Sequence, residues 1–146
     1  GHERVVELLL HHGAKIDLKS NNGATALMAA AQEGRERVVE LLLQRGAEVD
    51  LLNSNGYTAL MLAADNGHER MVDLLIRHGA EVNQQDSDGR TALMAAAQEG
   101  RERVVDLLIR RGAKVNLQDS DGDTALMLAA LFNHPAVVPR LLRAGA

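Results

Sequence analysis

The chain has 146 residues and a formal net charge of −4; 46% of its residues are hydrophobic and only 1% are aromatic. Its 16 Lys and Arg residues alternate with 20 Asp and Glu residues, so the concentrated basic face of a nucleic-acid-binding protein is not expected. Cysteine is absent, which excludes disulfides, thiolate zinc sites and a thiol nucleophile, and no apolar run is long enough to span a bilayer.

The first segment of the chain has the pattern of an amphipathic helix, followed by Gly13 and Ala14. Its apolar stripe includes Val5, Val6 and Leu9, and no helix precedes it that would cover the outer side. Terminal units of repeat proteins normally have a polar outer face. We therefore expect the chain to be a piece of a longer array, with a first helix that frays or self-associates by stacking on another molecule.

A period of 33 residues then runs through the chain. Glycine recurs with this step in two series, and threonine recurs with it at the start of each TALM motif. The members are Gly13, Gly46, Gly79, Gly112 and Gly145, then Gly23, Gly56, Gly89 and Gly122, then Thr25, Thr58, Thr91 and Thr124. Such a period indicates one supersecondary unit copied in tandem.

Each unit opens with a turn rich in Asn, Asp, Ser and Gly, such as KSNNGAT or QDSDGRT, in which Gly supplies a positive φ. The Thr of the TALM motif is predicted to be the N-cap of a short first helix, which ends at a Gly. Residues 20–52, 53–85 and 86–118 are predicted to be full repeats of one domain. They lie between a partial repeat, residues 1–19, and a capping-like repeat, residues 119–146.

A second, amphipathic helix completes each unit. In GRERVVELLLQRG the apolar stripe includes Val38 and Val39, whereas charged residues such as Arg37 are expected to face water. Glu69 is expected on the same solvent-facing side in the next unit. The equivalent Leu42, Leu75 and Leu108 are predicted to be fully buried.

The last unit departs from this pattern. Asn133 replaces the glycine that ends the first helix, and Arg140 replaces a leucine of the stripe. Pro135 is predicted to lie in the first turn of the second helix, where its missing N–H costs little. Pro139 is predicted to shorten or distort the start of that helix.

The repeated pattern GxTALMxAA…G[HR]ERVV[DE]LL[LI]xxGAx[VI][DN] resembles the ankyrin repeat along essentially the whole chain. The TPLH motif of that family is TALM here, with Ala for Pro and Met for His. Ala is a strong helix former, so the helix should persist, whereas loss of the His puts part of the polar network between repeats in doubt. The resemblance implies an all-α solenoid of stacked helix-turn-helix units with β-turn or hairpin tips that binds proteins through a concave surface of tips and first helices. The absence of cysteine favours an intracellular location, cytoplasmic or nuclear.

The variable positions of the family give the candidate contact residues. Tyr57 and Phe132 are the only aromatic residues of the chain, and aromatic side chains dominate interface hot spots. For Phe132, packing over the end of the core is an equally good interpretation. The candidates for partner binding are Leu52, Tyr57, Asp65, Asn66, Arg90, Gln98, Glu99, Asp121, Asp123, Leu131 and Phe132.

The sequence gives little support for metal binding or catalysis. The DSDG stretch from Asp119 lacks the Gly and Glu spacing of an EF-hand loop, and histidines such as His68 are expected to be solvated at helix ends. No nucleophile with a base and an orienting group is present, so no enzyme, cofactor, metal, nucleic acid or membrane is expected. Asn83 resembles the asparagine that hydroxylases modify in ankyrin repeats.

Two hypotheses of function follow. The first is a protein-interaction module that binds through its concave surface, with a partner that the sequence does not identify. The second is an engineered or consensus-like scaffold without a specific partner, because residues 25–39 recur letter for letter at 91–105. The tip residue before each conserved threonine differs from unit to unit, whereas the rest of the repeat is nearly constant. The four residues at this position are Ala24, Tyr57, Arg90 and Asp123, and this variation favours the first hypothesis.

Overall fold

The computed structural model describes residues 2–146, and these residues form nine α-helices and no β-strand. The helices are α1 (Glu3–His11), α2 (Ala26–Gln32), α3 (Glu36–Gln44), α4 (Ala59–Asp65), α5 (Glu69–Arg77), α6 (Ala92–Gln98), α7 (Glu102–Arg110), α8 (Ala125–Leu131) and α9 (Val138–Arg143). The prediction of an all-α repeat architecture is confirmed.

The helices are arranged in two layers. The first helices of the units (α2, α4, α6 and α8) pack on one another in chain order, and the second helices (α1, α3, α5, α7 and α9) do the same. Each first helix also packs on the second helix that follows it. The core is therefore a continuous strip between the layers, as expected of a solenoid.

Threonine begins each first helix, as predicted. The hydroxyl oxygens of Thr25, Thr58, Thr91 and Thr124 each accept a hydrogen bond from the amide three residues later, at 3.3, 3.2, 3.3 and 3.4 Å. This satisfies an amide that the start of a helix leaves unpaired. Ala in place of the family proline thus leaves the first helix intact.

Small residues allow close packing in the first-helix layer. Ala63, Ala64, Ala96 and Ala97 have 0% of their surface exposed. In the second layer, the equivalent leucines at positions 42, 75 and 108 are 2%, 0% and 0% exposed, so the prediction that they are fully buried is confirmed. Glu69 is half-buried rather than solvated, because it lies in the first turn of α5 and lines the groove between the second helices.

The methionines of the TALM motifs, which replace the family histidine in the sequence, are mostly buried. Met28, Met61 and Met94 are 1%, 4% and 1% exposed, whereas Met127 is 51% exposed. The sulfur atoms of Met28 and Met94 also accept the amide of the threonine at the start of their helix, at 3.5 and 3.4 Å. The apolar ladder that the sequence predicts is buried in three of the four units.

The polar network between units is built from other residues. His68 Nε2 lies 2.9 Å from the carbonyl oxygen of Gln32, and His134 Nε2 lies 2.7 Å from that of Gln98. The prediction that His68 is only solvated is therefore wrong, because its ring links two units. These bonds join the residue before α5, and a residue in the segment that leads into α9, to the end of the previous unit's first helix.

The last unit has a shortened second helix. It begins only at Val138 and has Pro139 in its first turn, which confirms the predicted effect of this proline. Pro135 lies in the turn before the helix rather than in its first turn, because the helix starts at Val138. The Arg140 guanidinium pairs with the carboxylates of Asp106 and Glu102 on α7.

Candidate functional site

The tips of the last three units have the same internal hydrogen bonds. Asn53 Oδ1 accepts from the amides two and four residues later at 3.0 and 2.9 Å, and Asp86 Oδ1 does so at 2.9 and 2.8 Å. Asp119 Oδ1 makes the equivalent bonds at 3.0 and 2.9 Å. The DSDG stretch from Asp119 is thus a turn stabilised by its first side chain, and the residues four positions on (Tyr57, Arg90 and Asp123) are held by the same frame.

Successive tips are also bonded to each other. The Ser54 amide donates to the Asn22 carbonyl oxygen at 3.0 Å, and the Ser120 amide donates to that of Asp88 at 2.8 Å. Between the middle tips, Ser87 Oγ donates to the Asn55 carbonyl oxygen at 2.7 Å. The variable tip residues therefore stand at a fixed spacing along the solenoid.

A pocket lies between the second and third full units, with a volume of about 90 Å³. Three of the predicted contact residues, Tyr57, Asp65 and Arg90, line it together. They come from the tip and first helix of one unit and from the tip of the next. The structure thus brings into one site residues that are up to 33 positions apart in the sequence.

Two more predicted residues extend this site. Arg90 Nη2 donates a hydrogen bond to Gln98 Oε1, and Gln98 Nε2 donates to Glu99 Oε1 at 3.2 Å. Burial raises the pKa of the Asp65 carboxyl group, and the nearby Glu99 carboxylate raises it further. The cationic Arg101 and Arg90 side chains oppose this shift without cancelling it.

Other predicted residues lie outside the pocket. Asn66 Nδ2 donates to the Leu62 carbonyl oxygen at 2.9 Å at the end of α4, and the Leu52 carbonyl oxygen accepts from Lys19 Nζ at 2.8 Å. Leu131 and Phe132, at the end of α8, are 71% and 47% exposed.

The exposure of Phe132 rules out the interpretation that it packs over the end of the core. Leu131, Phe132 and the half-exposed Met127 all lie on α8 or at its end, and we call these three side chains the exposed apolar group. Asp121 and Asp123 belong to the fourth tip, where Asp121 is exposed and Asp123 half-buried.

Sequence reasoning missed part of the pocket lining. The missed residues are Met61, Leu62, Asp86, Thr91 and Ala95. One signal for Leu62 was available, because α4 has leucine where α2 and α6 have Ala29 and Ala95. The burial of Asp86 had no such signal, since an aspartate at the start of a turn is usually exposed.

The charges of the chain are segregated between its two sides. We call the tips and first helices, residues 19–34, 52–67, 85–100 and 118–133, the inner surface. It carries eight acidic and two basic residues, a formal charge of −6, whereas the remainder carries 12 acidic and 14 basic residues. Such an uneven distribution makes the electrostatic potential of the inner surface more negative than that of the remainder.

Asn83 has a structural role between two units. Its Nδ2 atom donates to the Gly112 carbonyl oxygen at 3.1 Å, and its Oδ1 atom accepts from the Lys114 amide at 2.8 Å. Asn116 repeats the first of these bonds one unit later, with Gly145 at 3.0 Å. Modification of Asn83 stays a prediction, and it requires an enzyme to reach a side chain that bridges two units.

Metal-binding and membrane-spanning features were also considered in the described part of the chain. Within residues 2–146, no cluster of three or more His, Asp or Glu side chains is placed to hold a metal ion. In the same part of the chain, every helix falls short of the length and apolar character that crossing a membrane requires.

Comparison with known families gives a match along the chain. The family described as ankyrin repeats (3 copies) matches residues 1–86 and 78–146. A comparison with curated proteins found no match.

Proposed function

Because the chain belongs to the ankyrin repeat family, whose members are generally protein-interaction modules, we propose that it binds another protein through its inner surface. Extended binding surfaces of this kind are what solenoids use. The observation that supports the proposal most is the convergence of Tyr57, Asp65 and Arg90, from two units, on one pocket. We propose no enzymatic reaction for the chain.

Tyr57 and Arg90 are the proposed anchors of the interface. Tyr57 is half-buried and packs against the core, and its backbone amide is bonded to Asn53, so its side chain is already partly ordered before binding. Arg90 is held by its bond to Gln98. Tyr and Arg are the residue types that contribute most to hot spots when they are already ordered in the free protein.

The remaining predicted residues extend the contact along the inner surface. The partner segment that occupies the pocket continues toward the fourth unit, where it meets the acidic tip of Asp121 and Asp123. Beyond this tip it reaches the exposed apolar group of Met127, Leu131 and Phe132. A suitable partner therefore has basic residues and at least one apolar side chain, and its charge mainly increases the association rate.

The proposal can be tested by selection and counter-selection. A displayed library of random peptides is selected on the immobilised protein, and each recovered peptide is then measured against two variants. Tyr57→Ala with Arg90→Ala alters the inner surface, and Arg37→Ala with Arg103→Ala alters two exposed arginines of the second-helix layer. Recovered peptides should lose affinity for the first variant and keep it for the second; the reverse pattern would overturn the proposal.

A second candidate function is self-association. Val5, Leu8 and Leu9 of α1 are 53%, 54% and 57% exposed, which is an unusual exposure for three neighbouring apolar residues. Sedimentation at increasing protein concentration distinguishes the two functions. A monomer at all concentrations removes the second candidate, and loss of an oligomer in Leu8→Lys supports it.

A further inference from the structure

The pocket between the second and third units combines apolar walls with carboxylate groups. Tyr57, Leu62 and Ala95 provide much of the apolar lining, Asp65 and Asp86 provide its acidic part, and Arg90 is its one basic residue. Lining of this kind suits a ligand that has an apolar stem and a positively charged end.

One oxygen of Asp86 has no role in the fold. Asp86 is 9% exposed, and its Oδ1 atom accepts the amides of Asp88 and Arg90. Its Oδ2 atom is buried and accepts no hydrogen bond from the described residues. A buried acceptor without a donor is costly, so it indicates a donor that arrives from outside the chain.

The turn itself does not require this second oxygen. Asn53 occupies the equivalent position one unit earlier and makes the same two bonds through a single amide oxygen. The carboxylate of Asp86 therefore adds a negative charge that the turn does not use. It stands in the one pocket that Tyr57, Asp65 and Arg90 share.

Two guanidinium groups lie near the pocket, and both donate hydrogen bonds to neutral oxygen atoms of the chain. Arg101 Nε donates to the backbone carbonyl oxygen of Asp65 at 2.9 Å, and the Arg90 guanidinium donates to Gln98. Neither Asp65 nor Asp86 has a salt-bridge partner among residues 2–146. Glu99 also lies close enough to act on Asp65, so three carboxylates face the two guanidinium groups and a local excess of negative charge remains.

We propose that this pocket receives a lysine side chain of the partner protein, an inference that rests on the proposed function. The ammonium group donates to Asp65 and to Asp86 Oδ2, and the methylene stem lies against Tyr57 and Leu62. A compact ammonium fits a volume of about 90 Å³ better than a planar guanidinium does. Because Oδ2 is buried, the ammonium reaches it as the half-buried side chains of Tyr57 and Arg90 move at the mouth of the pocket.

A titration followed by NMR tests the pocket without a partner. The ¹⁵N-labelled protein is titrated with Nα-acetyl-lysine methylamide at constant ionic strength, and the matched probe carries an Nε-acetyl group that removes the charge. We expect saturable shifts of the Tyr57, Asp65 and Asp86 amides with the charged probe. Binding in the millimolar range is expected of so small a ligand, and the neutral probe should give no saturable shifts.

Two substitutions identify the carboxylates. Asp86→Asn keeps the turn, as Asn53 shows in its own unit, and should raise the dissociation constant of the charged probe by roughly fivefold, as removal of one partner of a charge pair does. Asp65→Asn should have a similar effect. Asp119→Asn is the matched control, because Asp119 has the same place in the fourth tip and lies outside the pocket.

Equal weakening by Asp86→Asn and Asp119→Asn would overturn the proposal, because it would show only a general attraction to acidic tips. Normal binding of the charged probe to both Asp65→Asn and Asp86→Asn would also overturn it. These failures leave the proposed function intact if selected peptides still depend on Tyr57. Conversely, pocket-specific binding of the lysine probe would stand even if no peptide bound the inner surface.

Discussion

His68 Nε2 and Arg101 Nε make the same contact one unit apart, each 2.9 Å from the carbonyl oxygen that lies 36 residues earlier. These carbonyl groups, of Gln32 and Asp65, are at the ends of α2 and α4, where helix carbonyls lack a partner within the helix. A histidine and an arginine side chain thus each bond the unpaired carbonyl group at the end of a first helix. This contact is part of the polar network between units.

The first prediction concerns this contact. His68→Ala should lower the free energy of unfolding by about 1 kcal/mol, the net value of a typical hydrogen bond, whereas His68→Arg should restore most of it because Arg101 makes the same bond in the next unit. Urea denaturation of the three proteins measures both effects. Equal loss in the Ala and Arg variants would show that the contact depends on the imidazole ring and not on its N–H group.

The second prediction concerns the core of the second-helix layer. Leu75 is 0% exposed, so Leu75→Ala should cost about 2–5 kcal/mol, through lost burial and the cavity that remains. Arg70→Ala on the exposed side of α5 should change stability by less than about 0.5 kcal/mol. Thermal unfolding of the two variants gives the comparison, and similar losses would contradict the assignment of the helix faces.

The third prediction concerns the stability of the individual units. None of the described residues of α1 is buried, whereas α5 and α7 each have four buried residues. Amide hydrogen exchange should therefore be fastest in α1 and slowest in the middle units, because local opening follows the amount of buried contact. Uniform protection of α1 and α5 in a monomer would contradict this.

The fourth prediction concerns the ionisation of Asp65. Burial and Glu99 raise the pKa of Asp65 against the opposing effect of Arg101 and Arg90, so the folded chain binds this proton more tightly than the unfolded chain does. Ionisation of Asp65 therefore costs stability as the pH rises from the unfolded-state pKa through the raised folded-state pKa. Below both values, this cost is absent.

Asp65→Asn should accordingly increase the free energy of unfolding at pH 7, and the gain should shrink as the pH falls toward the unfolded-state pKa of aspartate, about 3.9. Urea denaturation at a series of pH values measures the difference between the two proteins. Asp121→Asn, on the exposed fourth tip, is the control. A variant that is less stable than the parent at pH 7 would contradict the predicted sign.

The period of the sequence predicted most of the fold but only part of the site. Local geometry repeats with the sequence, so the sequence predicts the features that depend on it. These are the threonine N-caps such as Thr25, the buried stripe that includes Leu75, and the constant glycines of the turns. The pocket instead depends on which side chains meet where one unit packs against the next. Tyr57 and Arg90 were predicted because they vary at the tips, whereas Asp86 was missed because its burial arises from contact between units.

The same reason explains the error at His68. A histidine at the start of a helix has no local partner, so its sequence context suggests a solvated ring. Its partner, the Gln32 carbonyl oxygen, belongs to the previous unit. The position of Pro135 was predicted wrongly for a different reason. The start of the helix in the last unit depends on Pro139, four residues later.

The last prediction concerns binding through the inner surface. Tyr57→Ala should weaken binding of a partner, or of a peptide selected as described above, by about 1–3 kcal/mol, the range of a hot-spot truncation. The ring lines the pocket between two units, and its loss removes both contact area and one wall of the site. Calorimetric titration of the two proteins measures the difference.

Two controls separate this effect from changes in folding. Arg37→Ala lies on the exposed side of α3, in the other layer, and should leave binding unchanged. Tyr57→Phe should bind nearly as well as the parent, because Tyr57 contributes mainly ring area. If Tyr57→Ala binds normally while Arg37→Ala abolishes binding, the working surface is that of the second helices, and the charge of −6 on the inner surface has another role.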